Sequence, residues 1–407
     1  MHPIRNSFPF ISFFRQNKRV RPLRFALLVL FSVTILLVPR ASTAFASSLS
    51  WSTRASAPLA RFEAQGLVVN NKLYVFGGFY NSSLLTTTRA DVYSIASNSW
   101  SRIASVPEQL THAAQVVDGN TIYLVGGYVG NNPGLSTNHV WKYSISNNSW
   151  SAGPALPSDR GGGAAVVLGR NLHFFGGATR RTTSKSSTID RAEHYVLNLD
   201  GGKSWTTAKP LPNPRNHLGA TVLNGKAYAI GGQHTYNEGT TNQKQVDVYN
   251  PATDSWSRAA DLPLGRGHIS ASTFTMNGRI IIIGGTVNNG TSGSASAEVT
   301  SYNPDTNAWS RLTPLPSGRK TPIAGTDGTR IIVSTGGLFS ATSTTWISSS
   351  GFTTAASVDA AAVPITNSVA YSSQIAVDNL GQNAFICDLF DTSNNDGSVA
   401  RTINGID

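Results

Sequence analysis

Lys226–Arg266 reads KAYAIGGQHTYNEGTTNQKQVDVYNPATDSWSRAADLPLGR. An apolar run ends at Gly231-Gly232, a polar loop follows, and then come Tyr249, Trp256, Pro263 and Arg266. A short apolar run closed by turn residues reads as a buried strand. The rest of the chain repeats this stretch.

Six Gly-Gly pairs end six apolar runs, at Gly77, Gly126, Gly176, Gly231, Gly284 and Gly336, spaced by 49, 50, 55, 53 and 52 residues. After the first five pairs a polar loop leads to Tyr-x6-Trp at Tyr93/Trp100, Tyr143/Trp150, Tyr249/Trp256 and Tyr302/Trp309. Tyr195/Trp205 is read as a stretched copy, lengthened around Gly201-Gly202. Each Trp is followed seven residues on by Pro107, Pro157, Pro212, Pro263 or Pro316. Arg follows three residues later at Arg160, Arg215, Arg266 and Arg319, with Leu110 in the remaining copy.

This pattern resembles the kelch repeat over roughly Trp51 to Phe352. The resemblance implies an all-β fold, a six-bladed β-propeller in which each repeat is a four-stranded blade. The sixth repeat lacks its last Trp strand, and Trp51, Pro58 and Arg61 supply the same intervals at the other end of the chain. The N-terminal strand is therefore expected to complete the last blade and remove an open sheet edge.

Residues 1–46 are expected to be an export signal. Lys18–Arg24 is basic, Phe25–Val38 is apolar, and Ala44-Phe45-Ala46 has small residues at the spacing that signal peptidase cuts. The apolar run is shorter than the roughly 20 residues that span a bilayer, so no stable membrane insertion is expected after cleavage. The formal charge of +11 is largely local: outside this segment the chain has 25 basic and 21 acidic residues, too small a surplus to argue for nucleic acid. Cys387 is the single cysteine, which leaves no intramolecular disulfide and no cysteine-rich metal site. A monomer is expected. Residues 353–407 fit no repeat and read as a C-terminal tail or partial extra domain.

In such a propeller the loops after Gly-Gly and the Pro-x-x-Arg turns surround one mouth, the default binding face. The loops offer Phe79, Tyr80, Tyr128, Tyr236 and Phe339, with basic residues at Arg180, Arg181 and Lys185. Arg61, Arg160, Arg215, Arg266 and Arg319 are expected to form a guanidinium ring able to hold a carboxylate, or else to bond backbone between blades. Two residues beyond these positions stand Glu63, His112, Gly162, His217, His268 and Thr321. His217 and His268 are counted with the ligand-binding candidates. Three histidines and a glutamate suit a metal, but donors from opposite blades are expected to stand too far apart for one ion, so neither metal nor other cofactor is expected.

No Gly-x-Ser-x-Gly, phosphate loop or His-Glu-x-x-His occurs. Among secreted kelch proteins, galactose-oxidase-like copper enzymes need a propeller cysteine, whereas Cys387 lies outside the repeats. The resemblance to periplasmic kelch enzymes that interconvert sialic acid anomers would recruit Glu63, His217, Glu238 and the arginines, but their long insertions between blades are missing. The expected function is an exported module that binds an extracellular glycan or protein, with a carbohydrate-active enzyme as the alternative.

Overall fold

The computed structural model describes residues 49–350, except 237–238, 291–292 and 338–339, together with three short strands beyond them. The expected export segment lies outside the described residues. Six four-stranded antiparallel sheets follow one another along the chain. The fourth is typical: Gly219–Leu223, Lys226–Ile230, Val246–Asn250 and Ser255–Arg258, in that order. The sixth takes Ile323–Thr326, Ile331–Ser334 and Thr345–Ser348, and its outer strand is Trp51–Arg54, paired from Trp51↔Ser348 to Arg54↔Thr345. The molecule is a β-propeller. Each inner strand packs beside those of its two neighbours, including Gln65–Val69 beside Ile323–Thr326. Gln374–Val377, Ala384–Cys387 and Thr402–Ile403 form a separate three-stranded sheet.

Burial follows from the run of apolar residues in the second strand of each sheet. Ile280, Ile281, Ile282 and Ile283 are all fully buried, because both faces of their sheet lie against another blade. Ile280 and Ile282 join Ile230, Val246, Leu262 and Tyr302 in one such seam.

Aromatic residues lock neighbouring blades through one repeated device. Tyr93, Tyr143, Tyr249 and Tyr302 stand directly across the outer hairpin from Trp100, Trp150, Trp256 and Trp309. Each tyrosine hydroxyl donates at 2.8 Å to a turn side chain, Asn98, Asn148, Asp254 or Asn307. These four residues take left-handed φ values of 44 to 49°, which Asn and Asp tolerate better than most. The same oxygen accepts the backbone N–H of Ala55, Ala104, Lys209 or Ala260 in the preceding blade, at 2.8–2.9 Å. The indole N–H of the tryptophan donates to the carbonyl of that same residue, also at 2.8–2.9 Å. One residue of each preceding blade is thus held at both its backbone groups.

Blade three departs from the rule, and Tyr195 is not its copy of the tyrosine. The register pairs Leu172 with Leu197, as it pairs Ala227 with Tyr249 and Leu73 with Tyr93. Leu197 therefore holds the tyrosine position. Trp205, displaced by the insertion, still donates its indole N–H to Pro154 O at 2.9 Å.

Candidate functional site at the loop face

Each Pro-x-x-Arg turn, and the matching Leu110 turn, makes a short ladder with the residue after the Gly-Gly of its own blade, or in the sixth blade with its second glycine: Phe62↔Phe79, Thr111↔Tyr128, Gly161↔Ala178, Asn216↔Gln233, Gly267↔Thr286 and Lys320↔Gly337. The next residue reverses the chain into the inner strand, with left-handed φ at all six positions: Glu63 53°, His112 55°, Gly162 65°, His217 53°, His268 57° and Thr321 47°. Such φ values are uncommon for any residue but glycine. Hydrogen bonds link this girdle: the N–H groups of Gly162, His217 and His268 donate to the preceding member's carbonyl at 2.7–2.9 Å, and the Glu63 N–H donates to Thr321 Oγ1 at 2.9 Å.

The girdle brings four donor side chains together. Ligand atoms of Glu63, His112, His217 and His268 all lie within 4.8 Å of one another. Glu63 Oε2 is 3.0 Å from His112 Nε2, and Glu63 Oε1 is 3.3 Å from His268 Nε2. The His217 and His268 ring centres are 4.2 Å apart. The expectation that opposite blades hold these residues too far apart for one ion is corrected. The left-handed turns aim all four inward, a consequence of backbone geometry that residue spacing does not carry.

Burial alone would push the Glu63 carboxyl up, but the His112 and His268 rings beside it, helped by Lys320, hold it down at about 2. Burial drives the His217 imidazole well below its usual range, and the His268 and His112 rings add to the effect.

Above the girdle lies a cavity of about 320 Å³, lined by the same four side chains and by Phe79, Tyr128, Arg180, Tyr236 and Lys320. That volume is at the lower end for a small-ligand site. The Arg180 guanidinium lies over the Tyr128 ring, 3.9 Å from its centre, and 5.4 Å from the centre of Tyr236. Its Nε donates to Gly134 O at 2.9 Å, and no carboxylate pairs with it among the described residues. The Tyr128 hydroxyl is buried without a hydrogen-bond partner there, and burial pushes it up to about 12.

Tyr128, Tyr236, His217 and His268 thus meet at the cavity, and Tyr80 stands outside its lining. Glu238 and Phe339 fall outside the described residues. The expected open ring of arginines is corrected. Arg61, Arg160, Arg215, Arg266 and Arg319 are at most 5% exposed and none lines the cavity. Arg61 pairs with Asp91, Arg160 with Glu193 at 2.8 Å, Arg215 with Asp247 at 2.8 Å and Arg266 with Glu298 at 2.6 Å. Arg319 lies over the Trp346 ring at 4.2 Å. Their carbonyls bind the Gly-Gly of the preceding blade: Gly232 N–H donates to Arg266 O at 2.8 Å. A Cβ on Gly231 would stand 2.3 Å from that oxygen, so only glycine fits. Arg180 is legible in the sequence as a loop residue, but nothing in its spacing marks it as the cation of the cavity.

The KLHDC2/KLHL20/DRC7 Kelch-repeats domain matches residues 41–177 and 111–337. The chain is similar to Kelch-like protein terF of Aspergillus terreus, 33% identical over 120 residues, which is 28% of this chain and 26% of that one. It is 31% identical over 133 residues to mouse Kelch-like protein 23, or 32% of this chain and 22% of that one. With the zebrafish Kelch-like ECH-associated protein 1B it shares 30% identity over 82 residues, 20% of this chain and 14% of the other. The matched part spans about a quarter or less of each of these three relatives.

Proposed function

Because the chain belongs to the kelch-repeat family, we propose that it is an exported interaction module whose loop-face cavity receives a carboxylate presented by an extracellular protein or glycan. The observation that carries this reading is Arg180, laid over Tyr128 beside Tyr236 with no acidic partner among the described residues. A guanidinium held by stacking keeps its donors in a fixed plane, the geometry that suits a carboxylate. Lys320 adds a second positive group to the lining, and Lys185 stands over the outer Tyr236 ring at 4.7 Å. The partly exposed Tyr236 offers a face on which a sugar ring or a peptide side chain rests. The name of the zebrafish relative, which describes it as ECH-associated, agrees with a protein partner.

The test is a screen of the chain from Ser47 to Asp407 on an array of neutral, sialylated and uronic-acid glycans, with crosslinking pull-down from the host's extracellular fraction in parallel. Hits confined to acidic glycans identify the sugar source, and a captured protein whose binding an acidic peptide competes identifies the other. In either case Arg180→Gln, which removes one charged hydrogen-bonding group, and Tyr236→Ala, which removes the stacking face, are each expected to weaken binding about tenfold or more. Undiminished binding by both folded variants would overturn the assignment of the cavity.

A further inference from the structure

The girdle beneath the cavity has a chemistry of its own, independent of what the loops bind. The protonation of its histidines is fixed by their outer neighbours. His112 Nδ1 lies 2.8 Å from Thr111 Oγ1, and that hydroxyl donates its proton onward to Tyr128 O at 3.5 Å. His268 Nδ1 lies 2.9 Å from Thr286 Oγ1, whose proton goes to Asn242 Oδ1 at 3.4 Å. Each hydroxyl oxygen is thereby left to accept, so the proton of each ring sits on Nδ1. His217 Nδ1 bonds Asn216 Oδ1, and the orientation of that amide is set by its NH2, which donates to Asp190 Oδ1 and to Thr235 O at 3.1 Å. All three rings therefore turn Nε2 toward the axis, and in the neutral ring that nitrogen carries the lone pair.

Three inward lone pairs then meet a carboxylate, with Glu63 oxygens 3.0 and 3.3 Å from two of them. Lone pairs at that distance repel unless a ring proton or a metal cation sits between them. Without a metal the protons serve, the His112 and His268 rings holding Glu63 down, and a metal ion takes their place on binding. First-row divalent ions hold imidazole nitrogen and carboxylate oxygen at about 2.0–2.2 Å, which places neighbouring donors of a tetrahedral shell roughly 3.3 Å apart. The Glu63 contacts already have this spacing. Imidazole Nδ1–H donated to a second oxygen is also how metal-binding histidines are oriented in general. Beneath the four side chains lies a void of about 20 Å³, which they line together with Gly162 and Thr321; it is large enough for one water-sized species.

We propose that Glu63 and the Nε2 atoms of His112, His217 and His268 form a binding site for one divalent first-row transition-metal ion on the propeller axis. Imidazole and carboxylate donors without sulfur suit zinc and its neighbours rather than magnesium or calcium. Gly162 and Thr321, three positions apart on opposite sides of the girdle, complete it without offering a nitrogen or carboxylate. The four donors also line the loop-face cavity, so an ion held here is reached from that cavity. Arg180 and Lys320, at the same cavity, balance an anion bound to the ion rather than the ion itself.

The probe is Co²⁺, titrated into untagged, chelator-treated chain and followed by its visible d–d absorption and by calorimetry, with no glycan or protein ligand present. A blank ligand screen therefore leaves this test untouched. The expected result is one equivalent bound with the absorption of a tetrahedral or five-coordinate nitrogen-rich site, displaced by Zn²⁺. Glu63→Gln and His268→Ala are expected to lower affinity on the order of 100-fold, and His139→Ala, an exposed histidine elsewhere, to leave it unchanged. So that a poorly folded histidine variant does not decide the matter, Thr286→Val is measured too. It removes only the oxygen behind His268 and is expected to cost roughly 10–100-fold in Co²⁺ affinity. Wild-type chain that takes up no more Co²⁺ than His268→Ala, or site variants that bind as wild type does, would overturn the proposal and leave the cluster held by protons alone.

Discussion

Arg215 and His217 are separated by a single residue, as are Arg61 and Glu63, and Arg266 and His268, yet the two rings they form have opposite fates. The arginines turn outward into the wall, where each of the three meets an acid on the third strand of its own blade or beside it. Two residues later the left-handed turn aims the side chains inward, and they meet one another. Charge in the wall is neutralised within the blade. Charge on the axis is gathered from several blades, and its electrostatic balance is left to whatever occupies the centre. The turn that holds the propeller together thus also builds its candidate site, and the sign of φ at one residue separates the two roles.

The sharpest way to break the comparison is to remove one member of the wall. Arg215→Ala leaves the Asp247 carboxylate, 1% exposed, without its buried cation, with only the half-exposed Arg258 at 3.8 Å, and also strips donors from Gly231 O and Ala229 O. Loss of one partner from a buried pair costs about 3–5 kcal/mol. Urea unfolding of the purified chain measures it. A loss under about 1 kcal/mol would show that water reaches Asp247 and that the wall is not closed.

Blade three sharpens the wall from a different side. Its pairing of Leu172 with Leu197 leaves out the usual tyrosine, and His173 and His194 fill the neighbouring space in its second and third strands. His194 Nδ1–H donates to Lys209 O at 3.1 Å, and its Nε2 accepts from His173 Nδ1–H at 2.9 Å, an arrangement that needs the His194 ring neutral. Burial lowers both to about 4; the His194 ring lowers His173 further, and Asp254 opposes the shift in each. Since the folded values lie below the unfolded value of about 6.5, the unfolded chain binds more protons between the two. Stability is therefore complete above about pH 6.5 and is lost as pH falls toward 4. The expected loss is on the order of 2–4 kcal/mol over that window. His173→Tyr, the residue at the matching positions Tyr74, Tyr123 and Tyr228, should flatten the profile. Unfolding curves at pH 7, 5.5 and 4 that fall equally in both chains would assign the acid sensitivity elsewhere.

The sequence showed the wall better than the axis, for a physical reason. Close packing demands particular side chains at fixed intervals, so Gly231-Gly232, Tyr249, Trp256 and Arg266 recur and can be read. The turn residues that complete the lock, Asn98, Asn148, Asp254 and Asn307, recur as well, two places before each Trp, but they look like ordinary turn polarity until their second partner in the preceding blade is seen. The axial residues were found by counting from the arginines. Their convergence was not, because it depends on six left-handed turns acting together. Arg180 belongs to no repeat, and its place over Tyr128 comes from a loop whose path only the fold determines.

A smaller effect is expected at the inter-blade lock. Asn307→Ala removes the acceptor of both the Tyr302 hydroxyl and the Ala260 N–H, and puts a residue less tolerant of φ 47° in its place. The cost should be about 1–3 kcal/mol, read by urea unfolding. Asn307→Asp, which keeps the acceptor as Asp254 does in blade four, should recover most of it.

The smallest change in stability is expected on the axis itself, from His217→Gly. The position demands a φ of 53°, and the equivalent residue of blade three is already Gly162, at 65°. A left-handed backbone costs an ordinary residue roughly 1–2 kcal/mol that glycine does not incur. Against that gain stand the loss of the imidazole from its packing with His268 and of its hydrogen bond to Asn216. These terms oppose each other, so the unfolding free energy should move by less than about 1 kcal/mol, while Co²⁺ binding at the girdle falls. Such a split would mark His217 as a residue held in a strained conformation for what it binds. A loss as large as that of Arg215→Ala would instead make the girdle part of the wall, an inner ring that holds the blades together and needs no ion to explain it.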